Sequence, residues 1–221
     1  NQDTRQIKII THSVWYGFTK IPERKKIWIA WINDQHPDIV SLQELNEYSH
    51  QQLAEDAKSY GHPYSVLLKE DGFPTGITSR FPIEDILKIT DGFHHGLLRV
   101  RIQHIYIYVI HLHPSNWEIR KNEIKQILQN IEELPPGSSV VLAGDFNTNS
   151  NYVASGLPKF KAIEEADFVT NPRTSVDMTA LPDLSHDNIK VEVENCISAL
   201  SQRGMEVIVV DVIHGKLQIP S

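Results

Sequence analysis

Short apolar runs that alternate with amphipathic helical patterns constrain the fold of this chain more than any other feature. Strand-like runs at residues 7–15 and 38–42 flank a helical pattern over residues 22–33, whose apolar side chains share one face. Further along, strand-like runs follow one another with only short turns between them, as hairpins do. Helices between strands favour parallel pairing and hairpins impose antiparallel pairing, so the sequence predicts an α/β (α+β) fold with mixed sheets.

The remaining predicted elements fill the chain without a recognisable linker, and we expect one domain over residues 1–221. Helical patterns cover residues 49–60, 117–134 and the region around 195–202. Strand-like runs cover residues 64–68, 75–79, 83–89, 97–102, 105–112, 139–143, 190–193 and 206–213.

Composition excludes several classes of protein. Hydrophobic residues make up 40% of the chain, which is too many for a disordered chain, and no apolar run approaches the roughly 18 residues of a membrane span. Cys196 is the single cysteine, which excludes an intrachain disulfide and a cysteine-based zinc cluster. No signal peptide is evident, and secreted, periplasmic and cytoplasmic locations all remain open. We expect a monomer.

Four polar clusters lie at or just after the ends of apolar runs. They are Thr11-His12-Ser13, Gln43-Glu44, His111-Leu112-His113 and Asp145-Phe146-Asn147. Ligands of open α/β sheets gather at strand ends. Carboxylates, an amide and an imidazole are also the groups that metal-assisted phosphoester cleavage needs.

Each cluster taken alone has a simpler structural interpretation. Glu44 is typical of a capping or surface carboxylate, and Gly144-Asp145-Phe146-Asn147 is typical of a turn. A lone histidine on a strand, such as His111, is typical of a structural residue. His94 and His95, just before Gly96, are predicted to lie in a solvated loop.

Five segments in order nevertheless make the chain resemble the endonuclease/exonuclease/phosphatase superfamily. The segments are residues 10–15, 37–44, 76–83, 109–112 and 142–147, and the resemblance covers roughly residues 7–148. Leu42-Gln43-Glu44 and Gly144-Asp145-Phe146-Asn147 are the most specific of them. This resemblance implies a four-layer sandwich of two packed mixed β-sheets flanked by helices.

The resemblance also implies roles for individual residues. Glu44 would hold a divalent metal, Mg²⁺ or alternatively Mn²⁺, and His111 would contact the scissile phosphate. Asp145 would position or activate the attacking water, and Asn147 would orient Asp145 or bind a phosphoryl oxygen. The implied reaction is in-line attack of water on a phosphoester.

The chain departs from the superfamily pattern in three places. Ser13 stands where the superfamily usually has a metal-holding Asn, so we expect Ser13 to act on the metal only through a water or a rearranged site. No Ser-Asp-His motif is present; it would begin near Ser221, which would place its other residues and the last strand beyond the given chain. Ser185-His186-Asp187 is a weak substitute for it. An Ile-Asp-Tyr-Ile-like segment is also missing, and Asp177 and Asp187 are equal candidates for its Asp.

The leading hypothesis is a metal-dependent phosphoesterase, and nuclease, phospholipid phosphodiesterase and sugar-phosphate or inositol phosphatase all remain open. The phosphoester substrate can be a small molecule, a lipid or a nucleic acid. The net charge of −7 opposes a protein that coats nucleic acid, although a bound cation can supply the positive field that a phosphoester requires. Arg80, Arg99 and Arg101 form no basic stripe, which favours a small substrate. The alternative is a non-catalytic relative that acts as a binding module.

Overall fold

Two β-sheets form the centre of the protein. The structure, a computed structural model, describes residues 7–147 and 206–211. The first sheet has four strands in the order β1-β2-β4-β3, and the second has five in the order β5-β6-β7-β8-β9. The strands are β1 (Ile9–Ser13), β2 (Ile39–Gln43), β3 (Tyr64–Leu67), β4 (Gly76–Ser79), β5 (Ile83–Ile89), β6 (Leu97–Ile102), β7 (Ile105–His111), β8 (Ser139–Asp145) and β9 (Glu206–Asp211).

Both sheets are mixed, as predicted. In the first sheet β1 and β2 are parallel, and β4 runs antiparallel to both β2 and β3. In the second sheet β5, β6 and β7 pair antiparallel, and β8 is parallel to both β7 and β9. The carboxyl ends of β7 and β8 therefore lie side by side at one edge, which is where polar side chains can meet.

Helices cover the outer face of each sheet. Helices α1 (Glu23–Gln35) and α2 (His50–Ser59) pack on the first sheet through an apolar cluster that includes Trp28, Ile32 and Leu53. Helix α3 (Trp117–Glu132) packs on the second sheet through Ile124, Ile127 and Ile131.

A third apolar cluster lies between the sheets. Ile39 and Ile77 of the first sheet and Val100, Ile107 and Val141 of the second belong to it, and all five are almost completely buried. Helix, sheet, sheet and helix therefore stack as four layers, which confirms the predicted sandwich.

Local sequence explains most of the element boundaries. Ser49 caps α2 by accepting the N–H of Gln52, and Asn116 caps α3 by accepting the N–H groups of Glu118 and Ile119. The predicted strand over residues 7–15 is shorter, because Trp15 and Tyr16 have positive φ angles and begin a 3-10 turn (Tyr16–Phe18). The elements predicted at 190–193 and 195–202 lie outside the described residues.

No helix within residues 7–147 and 206–211 combines the length and apolar character that crossing a membrane requires.

Candidate active site

The candidate site lies at the carboxyl ends of β2, β7 and β8. His111 is the last residue of β7 and pairs in register with Asp145, the last residue of β8. The N–H of Leu112 donates to the carbonyl of Asp145 over 2.9 Å, which extends the pairing one residue past the strand. Parallel pairing thus places an imidazole and a carboxylate next to each other at the sheet edge.

Packing between the sheets adds Glu44 to this pair. The hydroxyl of Ser41 donates to the carbonyl of Ala143 over 3.3 Å, so β2 lies against β8 just below the site. Glu44 follows β2 directly. Ligand atoms of Glu44, His111 and Asp145 all lie within 4.8 Å of one another.

The chemistry of these three side chains fits a divalent cation. Atoms bound to one cation at about 2.0–2.6 Å are at most about 5 Å apart, and the three ligand atoms meet that limit. Two carboxylates supply the oxygen ligands that Mg²⁺ and Mn²⁺ prefer, and the imidazole of His111 can ligate Mn²⁺ or serve the substrate.

Glu44 is held by the segment that follows β1. Its Oε2 accepts the N–H of Tyr16 over 2.9 Å, and its carbonyl accepts the N–H of Gly17 over 2.7 Å. Glu44 itself has a φ of +59°, and Tyr16 and Gly17 also have positive φ. Non-glycine residues in this region carry strain that persists only where surrounding contacts enforce it. The carboxylate is therefore fixed beside His111 and Asp145, rather than being the solvated surface group that its isolated pattern suggests.

Asp145 is almost completely buried, with 1% of its surface exposed. Its Oδ1 accepts the backbone N–H of Asn147 over 2.8 Å. The residue before it, Gly144, has a φ of +151°, and a Cβ there would overlap the carbonyl of Ile110 on β7. The glycine of the Gly-Asp-Phe-Asn segment thus permits the close strand approach that places Asp145 beside His111.

Asn147 contacts Asp145 through its backbone, while its side chain has a different partner. The amide Nδ2 of Asn147 donates to the carbonyl of Leu112 over 2.7 Å. Asn147 therefore ties the end of β8 to the segment after β7, and its backbone N–H orients the Asp145 carboxylate.

His111 stacks on a second imidazole that the sequence analysis placed in solvent. The rings of His95 and His111 are 3.8 Å apart and inclined by only 13°. His95 is 6% exposed, so the prediction of a solvated loop was wrong for this residue. Burial, followed by the neighbouring His111, lowers the pKa of His95 to about 2. The following residue, Gly96, could have indicated this burial. It has a φ of +95°, and a Cβ at this position would lie 2.6 Å from Cδ2 of Leu68, so the loop passes close to the core.

His113 lies two residues beyond the end of β7, which ends at His111. Its ring centroid lies 4.1 Å from that of His94. Both residues are held by Glu123 of α3, which accepts the N–H of His94 on Oε1 and the N–H of His113 on Oε2.

The cluster Thr11-His12-Ser13 divides between two faces of β1. The His12 ring packs against Trp28 and Trp31 of α1, and burial followed by Arg24 lowers its pKa to about 4. Alternation places Ser13 on the opposite face, which it shares with Thr11. Ser13 pairs with Gln43, the residue before Glu44, so it lies at the same end of the first sheet as the site.

Gln43 belongs to a buried polar network beneath the site. Its Nε2 lies 3.2 Å from the hydroxyl of Thr11 and 3.1 Å from that of Ser41. Gln43 thus helps to hold β1 and β2 in position beneath the site. Asp177 and Ser185-His186-Asp187 lie outside the described residues.

Comparison with known proteins is consistent with this geometry. The family model described as "Endonuclease/Exonuclease/phosphatase family" matches residues 16–179, which is more than half of the chain. No protein of curated function matched by sequence.

Solved structures share the fold at low sequence identity. Humanized D. rerio TDP2 is 22% identical with a TM-score of 0.52, over 67% of this chain and 65% of the other. An AP endonuclease from Archaeoglobus fulgidus is 19% identical with a TM-score of 0.52, over 65% of this chain and 58% of the other. D. rerio TDP2 complexed with single strand DNA product is 20% identical with a TM-score of 0.50, over 67% and 63%. The chain thus spans less than two thirds of the length of each.

Proposed function

The chain belongs to the endonuclease/exonuclease/phosphatase family, and we propose that it hydrolyses a phosphoester bond with the aid of a divalent metal ion. The family includes metal-dependent nucleases and phosphatases. The proposal for this chain rests on one observation, the convergence of Glu44, His111 and Asp145 to within 4.8 Å at the end of the two packed sheets.

Glu44 and Asp145 are the residues that would hold the cation, with Ser13 contributing through a water. When bound, the cation supplies Lewis acidity that neutralises charge on the phosphoryl oxygens. The Ser13 hydroxyl is shorter than the amide usual in this family, so we expect weaker metal binding than an Asn at this position would give.

The protein's own groups account for the remaining chemistry. A water attacks phosphorus in line with the leaving oxygen, forming one P–O bond as the ester P–O bond breaks. The Asp145 carboxylate, oriented by the N–H of Asn147, accepts the proton of this water. His111 donates an N–H to a phosphoryl oxygen, which stabilises the charge that builds up there.

Several observations favour a small substrate over a long nucleic acid. The chain carries a net charge of −7, and polyanion binding requires clustered positive charge. Arg99 and Arg101 already pair with Asp85 and Glu84, at 3.1 and 2.8 Å. A structural neighbour was solved with single strand DNA product, so a short nucleic acid remains among the substrates to be tested.

Hydrolysis of two chromogenic esters tests the proposal. Bis(p-nitrophenyl) phosphate and p-nitrophenyl phosphate are incubated with the full-length protein, with and without Mg²⁺ or Mn²⁺, and with Asp145→Ala. We expect metal-dependent release of p-nitrophenol that falls at least about a hundredfold in Asp145→Ala, because the group that accepts the proton is absent. The preferred ester distinguishes a diesterase from a monoesterase.

The alternative function is that of a binding module that kept the fold without turnover. Ser13 in place of Asn is the observation that favours it. Absence of turnover with either metal, from folded full-length protein, would overturn the proposed hydrolase and support this alternative.

A further inference from the structure

The torsions of the His111 side chain do not by themselves set the plane of its ring. The terminal torsion of a histidine is broad, so rotamer preference alone does not fix the plane of the ring. A hydrogen bond from an imidazole nitrogen weakens steeply when the donor points away from the acceptor. If His111 serves a phosphoryl oxygen, other residues must set its ring plane.

His95 restricts this rotation by direct contact. The two rings are nearly parallel, inclined by 13° with centroids 3.8 Å apart, so rotation of His111 would drive its edge into His95. Phe73 also contacts His95, with its ring centroid 5.7 Å from that of His95 and the two rings inclined by 59°. The Nε2 of His95 is buried and has no hydrogen-bond partner, so ring contact rather than hydrogen bonding accounts for its position.

Glu123 holds the two segments that carry the stacked rings. It is completely buried, and each carboxylate oxygen accepts one backbone N–H, from His94 at 2.8 Å and from His113 at 2.9 Å. Arg120, one turn earlier in α3, donates to the carbonyl of His113 over 3.0 Å. A buried carboxylate is costly unless its oxygens are hydrogen-bonded, so these two bonds fix the distance between the segments.

We propose that His95 and Glu123 are positioning residues for His111: His95 fixes the plane of the His111 ring by stacking, and Glu123 fixes the two segments so that the rings meet. The inference rests on the proposed phosphoesterase function, in which His111 touches the substrate. Neither positioning residue contacts the phosphoester itself.

Paired substitutions at residue 95 separate stacking from hydrogen bonding. His95→Ala removes the stacked ring and should lower kcat about tenfold with KM changed less than about twofold, because the His111 donor loses its alignment. His95→Phe keeps a flat ring of similar size without nitrogen atoms and should recover kcat to within about threefold of wild type. Gln129→Ala, at an exposed position on helix α3, is the control and should leave both constants unchanged.

Glu123→Gln tests the second half of the proposal. A Gln can accept only one of the two N–H groups and presents its NH₂ to the other, so the segments should shift. We expect kcat to fall as in His95→Ala, with KM again changed less than about twofold. Ile127→Ala, in the core on the same helix, provides a variant whose loss of stability is unrelated to the rings.

A proton NMR measurement tests the stacking of His95 on His111 without any need for turnover. The Hε1 resonance of His111 is displaced by the ring current of His95, and it should move in His95→Ala and Glu123→Gln but not in Ile127→Ala. An unchanged resonance in His95→Ala, a His95→Phe variant as slow as His95→Ala, or wild-type kcat in His95→Ala would each overturn the proposal. If wild type has no turnover, the proposed function fails, and the Hε1 resonance still shows whether His95 and Glu123 position the His111 ring.

Discussion

Individual polar groups of the site are positioned by backbone atoms before any ligand binds. One oxygen of Glu44 accepts the N–H of Tyr16, and one oxygen of Asp145 accepts the N–H of Asn147. Backbone donors are set by the fold and lose no side-chain freedom, so the carboxylates need little rearrangement to serve a cation or a water. Such preorganisation has measurable consequences for single substitutions.

Glu44→Gln should abolish stabilisation by divalent metal. A ligand that binds only the folded state adds about 1.4 kcal/mol at ten times its dissociation constant, so Mg²⁺ should raise the Tm of wild type. The neutral amide of Gln is a weak cation ligand, and the rise should disappear. Glu47→Gln, an exposed carboxylate in the same loop, is the control. An equal rise of Tm in Glu44→Gln would show that the metal binds elsewhere.

His62 should make the fold sensitive to acid. Its ring is buried between the carbonyl of Pro37 and the hydroxyl of Thr78, and burial lowers its pKa. The unfolded chain therefore takes up a proton on His62 at about pH 6.5 while the folded state does not. Stability from this residue is present above pH 6.5 and is lost as pH falls towards the lower folded-state pKa.

Urea unfolding at pH 7.5 and 5.0 measures this effect. The stability gap between wild type and His62→Gln should be smaller at pH 5.0 than at pH 7.5, because only wild type loses stability through residue 62. His104→Gln, at an exposed position, serves as the control and should show the same gap at both pH values. A constant gap for His62→Gln would contradict the assignment.

At the scale of elements, the parallel pair β7 and β8 brings the side chains of His111 and Asp145 together. Register alone sets His111 opposite Asp145, and it also sets Gly144 opposite Ile110. The backbone at Gly144 approaches Ile110 so closely that no side chain fits between the strands. Strand packing therefore requires a glycine at position 144, directly before Asp145.

Gly144→Ala should destabilise the protein by about 3 kcal/mol or more, since its Cβ would overlap backbone that cannot move independently. Gly137→Ala is a matched control, because Gly137 also has a positive φ but nothing lies near its added Cβ, and about 1 kcal/mol of strain is expected there. Urea unfolding compares the two. Equal losses would mean that backbone conformation, not the approach to Ile110, explains the glycine.

At the scale of the whole molecule, the apolar layer between the sheets holds the two halves of the site together. Glu44 belongs to the first sheet, and His111 and Asp145 belong to the second. Residues of both sheets share one buried cluster, so separation of the sheets would expose apolar surface and disperse the three ligand atoms at once.

Ile107→Ala should therefore lower the stability of both halves together. Ile107 is completely buried in the inter-sheet cluster, and its truncation should cost about 2–5 kcal/mol. We expect the same reduced midpoint by circular dichroism and by tryptophan fluorescence, which reports mainly on Trp15, Trp28 and Trp31 of the first half. Ile86→Ala, at a 49% exposed position, should change neither. Separate midpoints would indicate that the sheets unfold independently.

The sequence by itself determined the elements and the residue types of the site. Apolar runs and apolar periodicity located the strands and helices of the described residues to within a few positions, because buried strands and amphipathic helices both leave a local pattern in the sequence. The Leu-Gln-Glu and Gly-Asp-Phe-Asn segments, through the resemblance to the family, pointed to Glu44 and Asp145, whose carboxylates lie close together in the structure.

Only the tertiary structure decided which polar residues lie together at the candidate site. His95 and His111 are separated by 16 positions along the chain and stack because β6 and β7 pair, and Glu123 reaches both histidine segments because α3 packs across them. Neither contact leaves a periodic signal, since each depends on distances between elements. His12 lies away from the site, against Trp28 and Trp31, whereas His95 lies against His111. Both positions have the same physical reason, because the assembled layers determine what packs on each face of an element.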